Sequence, residues 1–184
     1  MTSEPLFAST HAALSFAFGY SERAGRPNLL GILSSREYVP GHGLNGLDGA
    51  AQSGMIRHQV EALKPLQRAV IVCKFSRPTH CPNCHSLVDS SERTESIETL
   101  VHHTLDVLKG ERPNLALRRG LVRAEYGERI RFVDLARTCG VSQNTVTNHA
   151  KKVHQALRSL EKAALARLDE ALASMVGQAV CTPL

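Results

Sequence analysis

The stretch Phe132–Leu160, FVDLARTCGVSQNTVTNHAKKVHQALRSL, constrains this chain more than any other. Its pattern predicts a short helix, a tight turn and a longer helix. Val133, Leu135 and Ala136 would form the inner face of the first helix. Cys139-Gly140-Val141 breaks it, with Gly140 where the turn needs a residue tolerant of positive φ and Val141 able to plug the angle between the helices. Ser142 is suited to cap the second helix through its hydroxyl. Val146 and Val153 would face inward. The outer face is then left with Gln143, Asn144, Thr145, Thr147, Asn148, Lys151 and Lys152. Amides at such positions can bond adenine in bidentate fashion, hydroxyls can serve as donor or acceptor, and lysines suit phosphates or guanine. With the capping Ser142, these residues form the expected DNA-binding set. A solvated face on an ordinary helical hairpin is the plainer alternative, but turn, cap and polar face all agree with a helix-turn-helix.

The charge distribution points the same way. Residues 1–110 carry ten basic and ten acidic side chains, whereas 111–158 carry ten basic against four acidic, and 159–184 come to −1. The excess positive charge of the chain therefore lies on and beside the helical pair, as an electrostatic footprint for phosphates would.

The 184 residues suffice for one ordinary domain, or one with an appendage. With no Trp and only 4% aromatic residues, the core must rest on aliphatic packing. No run approaches the ~20 apolar residues of a membrane span, and no signal-peptide pattern opens the chain. Three of the five cysteines cluster, which argues for a reducing compartment and a metal site rather than a disulfide framework. A cytoplasmic protein with no membrane partner is expected.

Three segments are expected: 1–54, 55–131 and 132–176. Phe7–Tyr20 reads as a short helix stopped near Gly19, and Pro40–Gly54, with five glycines, as a loop or hinge. No Lys-Ser/Thr follows those glycines as a phosphate-binding loop requires. Met55–Phe75 has helical spacing with a bend at Lys64-Pro65. Leu66–Phe75 and Leu117–Tyr126 echo each other position by position, as an internal repeat or as two helices filling similar grooves in one core. Between them lies CKFSRPTHCPNCHS. Cys81 and Cys84 have the spacing of a zinc knuckle, and Cys73 and His85, ahead of His80, complete the expected ligand set for a structural Zn2+. A reduced surface loop is the alternative. Glu92–Lys109 is expected as a helix with Ile97, Leu100, Val101, Thr104, Leu105 and Leu108 inward, ending at Gly110; Asn114–Tyr126 is another. Val153, Leu157, Leu160, Ala164, Leu168, Leu172 and Met175 continue a near-heptad seam, able to pair two copies as a homo-oligomer or to dock on the chain's own core. No sheet is required, so the fold class is all-α.

The run Leu135–Arg158 (LARTCGVS, QNTVTN, then a basic helix into ALRSL) resembles region 4 of bacterial sigma factors, which reads the −35 promoter element, and Leu117–Tyr126 resembles the helix that precedes it there. The resemblance implies that Gln143, Asn144, Thr147, Asn148 and Lys151 face the DNA groove. It also implies a sigma region 4-like unit with a zinc-knuckle insertion and a long C-terminal helix. With the knuckle and the small size, the chain further resembles the Q-type antiterminators and late-gene regulators of bacteriophages. It departs from well-known members in its glycine-rich 40–54 segment and its fewer cysteines.

That resemblance implies a transcription regulator that binds double-stranded DNA and engages RNA polymerase, with or without its sigma factor, and carries it through terminators. A self-contained dimeric repressor or activator, paired through 153–175, is the alternative. A zinc enzyme acting on nucleic acid is disfavoured. Asp89, the nearest carboxylate beyond the knuckle, is five residues past Cys84, and thiolate-rich knuckles close the metal shell.

Overall fold

The structure, a computed structural model, describes residues 6–24, 46–80, 84, 86–109 and 113–176. Over these residues the protein is all-α apart from one very short strand pair. The helices are α1 (Thr10–Ala24), α2 (Gly46–Glu61), α3 (Pro65–Phe75), α4 (Ser91–Val107), α5 (Leu115–Glu125), α6 (Phe132–Cys139) and α7 (Gln143–Ala171). Strands β1 (Thr79–His80) and β2 (Leu87–Val88) lie between α3 and α4 and pair antiparallel, Thr79 with Val88 and His80 with Leu87. The sequence calls for no sheet; a two-residue ladder is too short to show any alternation from which one could be read.

The chain divides into two compact units. One comprises residues 1–63 and 165–184, the other 64–164. The expected segment 55–131 is cut at its own bend: the helix before Pro65 belongs to the first unit and the helix after it to the second.

In the first unit, α1 buries Ala13, Leu14, Phe16, Ala17 and Phe18, and α2 buries Ile56 and Val60. The Ser53 hydroxyl donates to the Ala17 carbonyl at 3.0 Å, and Phe7 bridges in parallel to Val176. Two sequence expectations fail here. The helix runs through Gly19 to Ala24, and Gly46–Gly54, expected as loop, is the first half of α2. Glycine disfavours a helix interior by only about 1 kcal/mol, and packing of the buried Ser53, Ile56 and Val60 outweighs that. Residues 40–45 lie outside the described ones.

The second unit is built on a single apolar cluster. Ala69, Val70 and Cys73 come from α3, Ile97, Leu100 and Val101 from α4, Leu117, Leu121 and Val122 from α5, Ala136 from α6, and Val146, Val153 and Leu157 from α7. Pro65 fits the first turn of α3, where its missing N–H is no loss. The Ser90 hydroxyl caps α4 at the Arg93 N–H, and Asn114 Oδ1 caps α5 at the Leu117 N–H, 2.7 Å away. Leu105, expected inward on α4, is instead 47% exposed. The echoing segments are α3 and most of α5, and both contribute to the same cluster as α4. Arg68 on α3 pairs with Glu92 at one end of α4, and its counterpart Arg119 on α5 pairs with Glu98 farther along.

Arg93 organises the interior of this unit. It is 3% exposed, and its guanidinium donates to the carbonyls of Cys73, Ser76 and Tyr126 and to the Asp89 carboxylate. Cys73 and Ser76 lie at the end of α3 and Tyr126 at the end of α5, so the buried cation meets the negative ends of two helix dipoles. Ser76 precedes β1 and Asp89 follows β2; one side chain therefore ties both roots of the hairpin to the core.

Candidate nucleic-acid interface

Helix α6 carries Asp134 in its first turn and Arg137 in its last, each complementing the helix dipole. It ends at Gly140, whose φ of 66° and ψ of 31° lie in the left-handed region, at no steric cost for glycine. The Val141 N–H reaches back to the Ala136 carbonyl at 3.1 Å and the Gly140 N–H to that of Arg137. Ser142 then starts α7: its Oγ accepts from the Thr145 N–H at 3.1 Å and lies 2.9 Å from Thr145 Oγ1. Three residues, 140–142, separate the two helices.

The cluster fixes the facing of both helices. Ala136, Val146 and Val153 are buried in it, with Phe132, Leu135, Cys139, Val141 and Ala150 partly buried against it. Val133 is a correction: expected inward, it is 48% exposed, because Phe132, Leu135 and Ala136 occupy the inner arc of so short a helix. A Cβ on Gly120 of α5 would lie 2.8 Å from Leu135 Cδ1, so glycine at this crossing permits the close approach of α6.

With Val146 turned in, Gln143, Asn144, Asn148, Lys151 and Lys152 of the expected DNA-binding set are exposed. Thr145 and Thr147 are half-buried. The Thr147 hydroxyl donates to the Gln143 carbonyl of its own helix at 3.0 Å, while those of Ser142 and Thr145 are engaged in the cap. Positions 144, 148, 151 and 152 form one stripe along α7. Beyond it, Arg131 and Arg137 are strongly exposed and flank Asp134, at 2.6 and 3.9 Å. Exposed pairs of this kind contribute little, so both guanidiniums keep most of their capacity for an outside anion.

Sequence reasoning missed His149, which is buried on α7. Its signal was available: it lies three residues after Val146 and four before Val153, within the inward stripe. His154, by contrast, sits on the exposed side and pairs with Glu125 of α5 at 2.9 Å. An open groove runs beside the outward stripe, between the start of α5 and α7, with Cys139 and Val141 of the turn in its lining.

The expected metal ligands fall in and near the hairpin. The ladder sets His80 opposite Leu87. Cys84 is exposed, with Sγ 2.8 Å from Ser86 Oγ. Cys81 and His85 lie outside the described residues. Cys73 is 1% exposed within the apolar cluster, and its thiol is pushed up to about 12 by burial, partly opposed by Arg93. Burial likewise raises the neighbouring Tyr126 phenol. Elsewhere in this unit, the Arg119 hydrogen bond holds the Glu98 carboxyl below its usual range.

No protein-family model matches the chain, and no curated protein matches it in sequence. No helix among the described residues is long and apolar enough to cross a membrane.

Proposed function

We propose that the protein is a sequence-specific DNA-binding transcription regulator that uses α6 and α7 as a sigma region 4-like helix-turn-helix and acts together with RNA polymerase, as Q-type antiterminators do. One observation carries the reading. The Gly140–Ser142 turn and the buried Val146 together turn Gln143, Asn144, Asn148, Lys151 and Lys152 outward on a helix rooted in a packed core. Rigid placement of amides and lysines is what base and phosphate recognition needs.

The dimeric alternative is the less favoured reading. Val153, Leu157, Ala164, Leu168 and Leu172 of the near-heptad seam are buried within the single chain, which leaves less of the seam for a second copy. A polymerase-loaded factor needs only one half-site at a fixed distance from a promoter. A symmetric dimer needs two, about one helical turn (~34–36 Å) apart or a multiple of it. Footprinting decides between them: the protein alone should protect one site weakly, and promoter-bound polymerase should strengthen that protection. Transcription past a terminator should rise when the protein is added. Tight, symmetric protection of two half-sites without polymerase would overturn this reading.

The hairpin residues fit a structural zinc ion. His80 and Leu87 pair across the ladder, and the sequence between them includes Cys81, Cys84 and His85. Zinc would close the shell on thiolate and imidazole ligands and supply folding energy to the hairpin. Cys73 is the further ligand expected from the sequence.

A further inference from the structure

We propose that α7 selects A·T base pairs: the amides of Asn144 and Asn148 take the adenine edge, and the methyl group of Thr147 meets the thymine methyl. This rests on the DNA-binding reading above and deepens it, from a helix that reads bases to the bases that it reads.

Three observations carry it. The first is what the start of the helix lacks. Residues 142–152 contain no arginine and no acidic residue. Arginine is the commonest partner of guanine, and a carboxylate accepts from the cytosine amino group, so a G·C pair meets neither of its charged readers here. Lysine also bonds guanine, but Lys151 stands seven residues beyond Asn144, ~10.5 Å along the axis at ~1.5 Å per residue. Base contacts in a helix-turn-helix come from the N-terminal residues of the reading helix.

The second is the division between amides and hydroxyls. Gln143, Asn144 and Asn148 are exposed, and no described residue bonds their side-chain amides. Such an amide has both a donor and an acceptor to offer, the pair that N7 and the N6 amino group of adenine require. Ser142 and Thr145 are instead engaged in the cap, and the Thr147 hydroxyl donates to the Gln143 carbonyl at 3.0 Å. With that proton used inside the helix, Thr147 keeps its methyl for a base, and thymine presents a methyl in the major groove.

The third is spacing. Asn144 and Asn148 lie one above the other on the helix, ~6 Å apart along its axis. Two base-pair steps span ~6.8 Å. A helix lying along the groove therefore brings its two asparagines to base pairs two steps apart, and the half-buried Thr147 falls between them in height.

Base analogues test this without altering the protein. A pool of randomised duplexes is enriched on the full chain, and the recovered half-site is resynthesised with single substitutions. Enrichment should give A·T pairs, with adenines two steps apart and a thymine in the pair between them. Replacing either adenine by 7-deazaadenine removes only the N7 acceptor and should weaken binding about tenfold. Replacing the intervening thymine by deoxyuridine removes only the methyl and should weaken binding about fourfold, the worth of one buried methyl group. Thr147→Ser keeps the hydroxyl and loses the methyl, so it should bind the thymine and deoxyuridine duplexes alike. Thr147→Val keeps the methyl and should retain the preference for thymine.

Enrichment of G·C pairs at these positions would give the bases to the lysines, overturning this proposal while the DNA-binding reading stands. Affinity indifferent to 7-deazaadenine would overturn it as well. So would a thymine preference that persists in Thr147→Ser, since the thymine methyl would then be met elsewhere. If no duplex is enriched over the starting pool, sequence-specific binding itself fails and takes the proposal with it.

Discussion

Arg93 is the residue on which most of the second unit's polar interior converges. Its guanidinium serves three backbone carbonyls and the Asp89 carboxylate; the bonds to Cys73 and Ser76 are buried and those to Asp89 and Tyr126 part-buried. Methionine could fill much of its volume but satisfy none of these acceptors. Breaking a buried charged pair from one side costs about 3–5 kcal/mol, and Arg93→Met should lower the free energy of urea unfolding by that amount. A loss below about 1 kcal/mol would mean that water takes over its contacts. Nothing in the sequence marks Arg93, which stands in the first turns of a helix among Glu92, Glu95 and Glu98, where an arginine reads as a surface residue. Its role comes from two helix ends that meet only in the folded chain. Gly140 and Ser142 are the opposite case. A left-handed turn and a helix cap are demands of three or four consecutive residues, so the chain declares them directly.

At the scale of elements, α5 and α6 meet at Gly120 and Leu135. Gly120 and Leu135 touch so closely that a methyl on Gly120 must displace a leucine branch. Gly120→Ala alone should be nearly neutral, because the ~0.5–1 kcal/mol that alanine gains in a helix interior offsets the crowding. With Leu135→Ala already in place the crowding is gone, and the same change should then stabilise by the full ~0.5–1 kcal/mol. Thermal melts of the four members of this cycle measure the difference; strict additivity would show that the two residues do not compete for space. Helices were legible where apolar spacing was unambiguous, as in α4, α5 and α7. They were misread in α2, where packing overrides the local preference of its glycines. The echo between Leu66–Phe75 and Leu117–Tyr126 was legible as a pattern, yet its meaning was not. The arginines at matching positions reach two different glutamates of the intervening α4. The outward face of α7 was read correctly for its amides and lysines. Ser142 caps the helix as read, but Thr145 and Thr147 are half-buried, because a sequence does not reveal that Thr145 bonds Ser142 and Thr147 its own helix.

For the molecule as a whole, the metal proposal makes a stoichiometric prediction. Protein isolated without chelator should contain about one zinc ion per chain, because a structural site binds tightly at neutral pH. Cys81→Ser and Cys84→Ser should each lower zinc content and melting temperature together. Cys73→Ser then discriminates: a fall in zinc content matching the other two makes Cys73 a ligand, whereas full zinc content with a lower melting temperature makes it a core residue only. Metal-free protein whose melting is indifferent to chelator would remove zinc from the account.

The first unit takes its residues from both sides of the second, so the two cannot be completed in the same order as the chain is made. Residues 64–164 leave the ribosome as a contiguous set, with every member of their apolar cluster present. Helices α1 and α2 emerge earlier, yet Leu168 and Leu172, the last fully buried leucines of their unit, are translated after that cluster is complete. The N-terminal helices therefore lack part of their apolar cover until Leu168 and Leu172 are available, whereas the second unit needs neither. A fragment ending at Ala164 would contain every member of the second unit's apolar cluster while lacking the last buried leucines of the first.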